Sequence, residues 1–300
     1  MKNFVHVIKN ADRRAISLVH MSDIHIWQPQ YFTNPITLGS ILTNNKWRDM
    51  KQAQGYLNVA FNRGPNSYHP DLFTKGLKDI IKHDFDHLLI TGDITNISLN
   101  DEFQRVRDLL NENYLDAIPN NDKSEVWRYC TAIPGNHDAY TPTSVDLDLF
   151  GKYFGDTLGY YKHSETCSLH GRFPAIKIIQ TQCKTTNVIV LSLCTGVPTK
   201  PFVAAGTFGG TQLKDASDIL DQAQQHLHTQ GVATMYKIIL MHHPPIVRHK
   251  ESWSESLHGM SQHDKKLIDD FCSDHDVDLD FEWVTPINLI GAILLPIKKP

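Results

Sequence analysis

The sequence predicts an α/β sandwich that contains more than one layer of sheet. Short apolar runs of strand length alternate along the chain with segments whose apolar residues recur at helical spacing. Two consecutive runs in the second half, residues 173–180 and 187–194, are β-rich and predict antiparallel neighbours. Alternating strands and helices form layered α/β folds, and the β-rich pair adds a further stretch of sheet.

The predicted elements follow one another in a regular order. Strands are expected at residues 15–21, 87–91, 126–133, 173–180, 187–194 and 236–241, with a last strand beginning within 275–279. Amphipathic helices are expected at residues 72–81, 101–110, 213–227 and 265–272. Because no internal repeat or low-complexity linker separates these elements, one domain over residues 1–279 is the simplest interpretation.

Two segments stand apart from this alternating pattern. Residues 27–70 are irregular and rich in Asn, Gln and aromatic side chains, so we interpret them as an insertion or cap near the functional site. Residues 280–300 are interpreted as an aberrant apolar tail with no assigned function. Their apolar run lacks a clear period, is broken by Pro296, and is too short to span a bilayer.

The composition excludes several classes of protein. A net charge of −4 and the lack of a basic run argue against nucleic acid as a partner. The 5 cysteines are odd in number and include no C-x-x-C pair, which argues against a disulfide scaffold and for a reducing compartment. Because neither a signal-peptide run nor a membrane-length apolar stretch occurs, we expect a cytoplasmic protein without a membrane span.

Four short polar motifs each follow a predicted strand. They are Ser22-Asp23-Ile24-His25, Thr91-Gly92-Asp93, Pro134-Gly135-Asn136-His137-Asp138 and Met241-His242-His243-Pro244-Pro245. Ligands of open α/β sheets bind at the carboxyl ends of the strands, so four strands would bring these residues to one rim. Carboxylate, amide oxygen and imidazole are good ligands for Mn²⁺, Fe and Zn²⁺, and no motif contains a cysteine.

The motifs suit a centre with two metal ions. Asp23 and His25 alternate in an extended segment, so both would reach one ion, and Asp93 on its glycine turn would bridge two. Two ions about 3.5–4 Å apart can clamp a phosphate and activate a water molecule. Each motif alone also fits an ordinary turn or rigid loop, but four in series, each after a strand, favour the metal interpretation.

These motifs resemble the pattern D-x-H, G-D, G-N-H-[D/E], H, G-H-x-H of the calcineurin-like metallophosphoesterase superfamily, from Ser17 to about Leu279. The resemblance implies a four-layer α/β/β/α sandwich. It also implies hydrolysis of a small phosphomonoester or phosphodiester by metal-activated hydroxide, with two divalent ions of Mn, Fe or Zn. A nuclease or a protein phosphatase on the same scaffold is the alternative among enzymes.

The resemblance also implies a role for each site residue. It assigns the first metal to Asp23, His25 and Asp93, and the second metal to Asp93, Asn136 and His242. By the same resemblance, His137 contacts the phosphoryl oxygens and acts as an acid towards the leaving group, and Asp138 orients His137. The dipeptides Thr95-Asn96 and Ala139-Tyr140 look closest to bacterial members similar to cyclic-nucleotide phosphodiesterases.

The last motif of the pattern, Gly-His-x-His, is missing from the sequence. No histidine follows His275, so each metal keeps three ligands from the chain when Asp93 is counted twice. We therefore expect weak or incomplete metal loading. The non-enzymatic alternative follows directly: an impaired homologue that binds metal or phosphate weakly.

A frameshift between about Asp278 and Glu282 would explain the missing motif. Codons that encode Trp283 to Ile287, read from the third base of the Trp codon, can spell Gly-His-Thr-His. We therefore expect sequencing of the gene to show CAC and CAT in the shifted frame. Codons that give Tyr, Asn or Asp at those places would rule the frameshift out.

Overall fold

The structure is a computed structural model that describes most of the chain in fourteen segments. They are residues 5–8, 15–26, 50–58, 70–83, 85–114, 129–162, 169–182, 184, 186–200, 203–208, 211–232, 235–243, 259–281 and 290–295. Most of the predicted insertion, at 27–49 and 59–69, lies outside the described residues. So does the stretch 282–289, where the missing motif would be expected.

The described segments contain ten strands and seven α-helices. The strands are β1 (Val5–Ile8), β2 (Ile16–Met21), β3 (His87–Thr91), β4 (Cys130–Ile133), β5 (Tyr160–Tyr161), β6 (Ala175–Thr181), β7 (Asn187–Ser192), β8 (Tyr236–Leu240), β9 (Leu279–Phe281) and β10 (Ile290–Leu295). The helices are α1 (Met50–Leu57), α2 (Pro70–Ile81), α3 (Asn100–Tyr114), α4 (Pro142–Asp146), α5 (Leu149–Phe154), α6 (Gln212–Thr229) and α7 (Gln262–Asp274).

The strands form two sheets. The first has the order β10-β2-β3-β4, with β2, β3 and β4 parallel and β10 antiparallel on the edge of β2. The second has the order β1-β6-β7-β8-β9, with β5 also paired to β6. Strands β6 and β7 are antiparallel, as the β-rich runs predicted, and β7, β8 and β9 run parallel to one another.

The two sheets pack face to face, and helices cover their outer faces. Side chains alternate along β7, so Val188 and Val190 join the core between the sheets, while Ile189 and Leu191 join the core beneath α6 and α7. Helices α2 and α3 cover the outer face of the first sheet through residues such as Leu77. This is the four-layer α/β/β/α arrangement, so the predicted fold class is confirmed.

The differences from the sequence prediction lie mainly in short or irregular elements. The strand predicted to begin within 275–279 begins at Leu279, the last residue of that range, because α7 continues to Asp274 and a turn with Asp276 at φ 48° follows it. Helix α1 lies within the segment predicted to be irregular. Part of the tail to which we assigned no function, Ile290–Leu295, pairs along the whole of β2.

The topology places the predicted motifs at one rim. The parallel strands β2, β3 and β4 end on the same edge of the first sheet, and β8 of the second sheet runs directly into His242. Within the described segments, no helix combines the length and apolar character that crossing a membrane requires.

Candidate metal centre

Two loops at the rim continue the parallel pairing of the strands that precede them. The backbone N–H of Asp23 donates to the carbonyl of Gly92 at 3.1 Å, and that of His25 donates to the carbonyl of Asp93 at 2.8 Å. Ile26 then donates to Ile94 at 3.0 Å. Because these bonds hold the loops side by side, Asp23, His25 and Asp93 are presented together although they lie far apart in sequence.

Three of the predicted ligands have a left-handed backbone conformation. The φ angles are 56° at Asp23, 44° at His25 and 50° at Asp93. Side chains other than glycine rarely adopt this region, and each such residue costs roughly 1–3 kcal/mol. The surrounding hydrogen bonds maintain these conformations, which turn the side chains away from the strand direction and towards the rim.

The carboxylate of Asp93 lies at the centre of the cluster. Its Oδ2 is 3.5 Å from Nε2 of His25, and its Oδ1 is 3.4 Å from Nε2 of His242. Oδ1 of Asp23 approaches the same His25 nitrogen at 3.6 Å, and Oδ1 of Asn136 lies 3.2 Å from Nε2 of His242. All five residues predicted as metal ligands are therefore brought together, with the two oxygens of Asp93 facing different histidines.

The protonation of His242 tests whether this cluster suits a cation. Its Nδ1 is 2.8 Å from the carbonyl of Thr91, an acceptor, so Nδ1 carries a proton, and in the neutral ring Nε2 presents a lone pair. That lone pair faces oxygens of Asp93 and Asn136, so three acceptors converge. Such a set needs a positive charge at its centre, and a divalent cation fits these imidazole, carboxylate and amide donors.

The electrostatics of the two histidines agree with this test. Burial lowers the pKa of His242, but the Asp93 carboxylate outweighs burial and raises it to about 9. Burial likewise opposes protonation of His25, yet Asp23 and Asp93 raise its pKa above the ordinary value. Nε2 of His25 and Nε2 of His242 therefore both lie in a strongly negative electrostatic field, and such a field also attracts a metal cation.

The ligand atoms group slightly differently from the assignment that the resemblance implies. Three atoms from His25, Asp93 and His137 lie within 4.8 Å of one another, and so do three from Asp23, Asp93 and His242. Asp93 belongs to both groups, as predicted. His137, expected to contact substrate, is therefore also placed where it could act as a ligand.

Two glycines allow the motif loops to pack closely. A Cβ on Gly135 would overlap the carboxylate of Asp93, and a Cβ on Gly92 would overlap the backbone of Gly135. Gly92 also has φ +93°. Glycine is therefore required at both positions for the Asp93 carboxylate to lie against the loop that follows β4.

Asp138 connects the loops and does not contact the ring of His137. Its carboxylate accepts from the backbone N–H groups of Ile94 (3.1 Å), Thr95 (2.8 Å) and Gly135 (2.9 Å), and from the Thr95 hydroxyl (2.9 Å). The orienting role of Asp138 stays a prediction, and its observed hydrogen bonds go to both loops. Asp138 fixes the Asp93 loop against the His137 loop through the backbone.

The group that orients the His137 ring is the carbonyl of Asn96, which its Nδ1 contacts. Two rings also contact the ring of His137. The ring of His25 meets it edge-on at 4.6 Å between centroids, and the ring of Tyr140 stacks on it at 5.1 Å between centroids. Burial lowers the pKa of His137 to about 4, although Asp93 opposes the shift. The imidazole is therefore neutral near pH 7, with its Nδ1 proton held by Asn96.

The loop from Asn96 to Leu99 is braced by Glu102, a residue that the sequence analysis missed. Oε2 of Glu102 accepts from the backbone N–H groups of Ile97 and Leu99, each at 3.0 Å. Between them, Ser98 at φ 56° donates through its hydroxyl to the carbonyl of His137 at 2.8 Å. Glutamate at the third position of helix α3 is a capping-box signal, which could have predicted this contact.

A second missed residue, Lys51 of α1, lies close to the site. Its ammonium donates to Oγ1 of Thr199 at 2.7 Å and to the carbonyl of Val203 at 3.2 Å. It also lies 4.4 Å from the centroid of the Tyr140 ring. Burial lowers the pKa of Lys51 to about 8, with Asp93 opposing, so the side chain is mostly charged at neutral pH.

His243, next to the ligand His242, has a structural role. Its Nδ1 is 2.7 Å from Oγ1 of Thr195, and its Nε2 is 3.0 Å from the carbonyl of Ala204. Both ring nitrogens are thus engaged away from Asp93, and burial lowers the pKa of His243 to about 3. The ring contacts the loop around residue 204, and of these two adjacent histidines it is His242 whose Nε2 faces Asp93.

Glu102 predicts a pH dependence of stability. Burial raises its pKa from 4.5 to about 8, so the folded protein retains a proton that the unfolded chain releases. The stability from that proton is present at low pH and is lost as pH rises towards about 8. We expect the Glu102 contribution to the free energy of unfolding, measured with urea as the difference between wild type and Glu102→Gln, to fall by a few kcal/mol between about pH 5 and pH 8.

The Glu102→Gln variant should show a much flatter dependence, because its side chain stays neutral. Glu112→Gln, at an exposed position of the same helix, is the matched control and should keep the wild-type slope. Equal slopes for wild type and Glu102→Gln would contradict the assignment.

The comparison with known families agrees with this geometry. A family model for calcineurin-like phosphoesterases matches residues 16–281, a span that contains all four motifs and both groups of candidate ligand atoms. A search of curated proteins found no match. Since the family model covers most of the chain, the chain belongs to the calcineurin-like phosphoesterase family.

Proposed function

We propose that the chain hydrolyses a small phosphomonoester or phosphodiester at a binuclear metal centre. Membership of the family implies metal-dependent hydrolysis of phosphoester bonds. The observation that carries the binuclear proposal is the position of Asp93, whose two oxygens face His25 and His242 at 3.5 and 3.4 Å. A carboxylate placed between two sets of ligands is suited to bridging two cations.

The proposed ligands are the five residues that converge around Asp93. Asp23 and His25 would hold one cation with Asp93, and Asn136 and His242 would hold the other with Asp93. When bound, the ions would supply a hydroxide near neutral pH and stabilise charge on the phosphoryl group. The chain contributes orientation: the Thr91 carbonyl keeps the Nδ1 proton of His242 in place, so Nε2 remains available as a ligand.

His137 is proposed to act on the phosphoryl oxygens and on the leaving group. The carbonyl of Asn96 holds its Nδ1 proton and favours a protonated ring, while burial opposes protonation. An anionic substrate beside the ring would shift that balance towards imidazolium, which can then donate a proton from Nε2. Stacking on Tyr140 and the edge contact with His25 restrict the ring to one orientation.

We propose a small-molecule substrate, with the similarity to bacterial cyclic-nucleotide phosphodiesterases as the first guide to its class, and a cytoplasmic location. The absence of the Gly-His-x-His motif from the sequence favours one competing candidate, an impaired homologue with weak metal binding.

Hydrolysis of bis-p-nitrophenyl phosphate with added Mn²⁺ tests the proposal. We expect turnover by the wild-type chain and loss of at least about a hundredfold in Asp93→Asn, because the amide cannot bridge two cations as a carboxylate does. Asp269→Asn, an exposed position on α7, is the matched control and should keep full activity. Equal activity of the Asp93→Asn and wild-type chains would exclude a reaction at this site.

Metal content, measured by mass spectrometry on the same preparations, separates the candidates. Two ions per wild-type chain, with fewer in Asp93→Asn, would support the binuclear centre. Folded protein that neither retains metal nor turns over the substrate would support the impaired homologue.

A further inference from the structure

Lys51 joins three segments around the candidate site. It lies in the first turn of α1, is only 8% exposed, and is held by Thr199 and Val203 from the stretch after β7. Its ammonium also faces the ring of Tyr140, which directly follows the Gly135–Ala139 loop. The charge is therefore fixed in position by contacts on several sides.

The ammonium retains the capacity to bind an anion. An ammonium has three protons to donate, and the hydrogen bonds within the described segments use two of them. Within the same segments, the partners of the Lys51 ammonium are Thr199, Val203 and the ring of Tyr140, none of which is a carboxylate. Burying a charge without a counter-charge is unfavourable, so the site favours an anionic ligand.

The ammonium of Lys51 lies near His137, the residue proposed to act on the phosphoryl oxygens and the leaving group. Nζ of Lys51 is 4.4 Å from the centre of the Tyr140 ring, which is 5.1 Å from the centre of the His137 ring, so Lys51 and His137 are at most about 9.5 Å apart. The charge of Lys51 acts on both Asp93 and His137. Lys51 is thus one aromatic ring away from the residue proposed to meet the leaving group.

We propose that Lys51 is a specificity-determining residue that binds an anionic group on the leaving part of the substrate. The substrate would then be a phosphoester whose leaving group carries its own negative charge, such as a carboxylate or a second phosphate. This inference rests on the proposed function, because it takes the reacting phosphoryl group to lie between Asp93 and His137. Tyr140 would lie beside the group that connects the two anions.

A second buried lysine, Lys177, has a structural role and serves as a comparison for Lys51. The ammonium of Lys177, on β6 of the second sheet, donates to the carbonyl of Cys130 on β4 of the first sheet and to the carbonyl of Thr157. Burial lowers the pKa of Lys177 to about 8, while Cys130 and Asp156 favour its charged form, and neither of these residues belongs to the rim. Lys51 differs because it interacts electrostatically with Asp93 and His137 at the rim.

The test compares two phosphonates that differ by one carboxylate. Phenylphosphonate and 4-carboxyphenylphosphonate cannot be hydrolysed, so calorimetry with Mn²⁺ present measures binding without turnover. We expect the wild-type chain to bind the carboxylated ligand about tenfold more tightly, the effect of one charge-assisted hydrogen bond. Lys51→Met should lose that preference and keep its affinity for phenylphosphonate, and Lys51→Arg should retain part of the preference.

Control measurements distinguish anion binding by Lys51 from a structural role of Lys51 and from the proposed hydrolysis. Lys200→Met removes an exposed lysine of the same stretch and should leave the preference unchanged. A wild-type chain without preference, no binding of either ligand, or an equal loss of both affinities in Lys51→Met would overturn the proposal. Turnover of bis-p-nitrophenyl phosphate by a chain that shows no preference between the two phosphonates would support the proposed function and reject the Lys51 inference. A preference without turnover would support anion binding by Lys51 and reject the proposed hydrolysis, and with it the inferred substrate.

Discussion

The site depends on where one carboxylate, that of Asp93, is held. Its Oδ1 accepts the backbone N–H of His137 at 2.8 Å, its two oxygens face His25 and His242, and Gly135 leaves the space that it occupies. These contacts come from three loops, which carry His25, His242, and His137 together with Gly135. A shift of the Asp93 loop would therefore change the distances to both histidines and to the His137 backbone together.

Both sheets supply residues to this arrangement. Parallel strands β2, β3 and β4 deliver three of the motifs to one edge, and β8 of the second sheet delivers His242 across the interface. The buried carboxylate of Asp138 then joins the β3 and β4 loops by accepting from backbone groups on both. Conformational strain at Asp23, His25 and Asp93 is thus opposed by hydrogen bonds from rigid elements on either side.

The sequence predicts which side chains converge at the rim because each candidate ligand is marked by local chemistry. Asp23, Asp93 and His242 all follow apolar strand runs, and parallel strands must end at a common edge. Contacts to the backbone of distant loops have no such signal in the sequence. The hydrogen bond between Nδ1 of His137 and the Asn96 carbonyl, and the hydrogen bonds made by Asp138, were therefore not predicted. Lys51 was missed for the same reason, since its partners Thr199 and Val203 are more than a hundred residues away.

Strand β10 gives the last part of the chain a structural consequence. It pairs in register from Ile290 opposite Met21 to Leu295 opposite Ile16, and so closes the free edge of β2. An open edge strand offers a row of unpaired backbone groups to any neighbouring chain. Removing residues 290–295 would expose that row directly beside the Asp23 and His25 loop. Self-association through the exposed edge would then compete with folding, even though the removed residues include none of the candidate ligands.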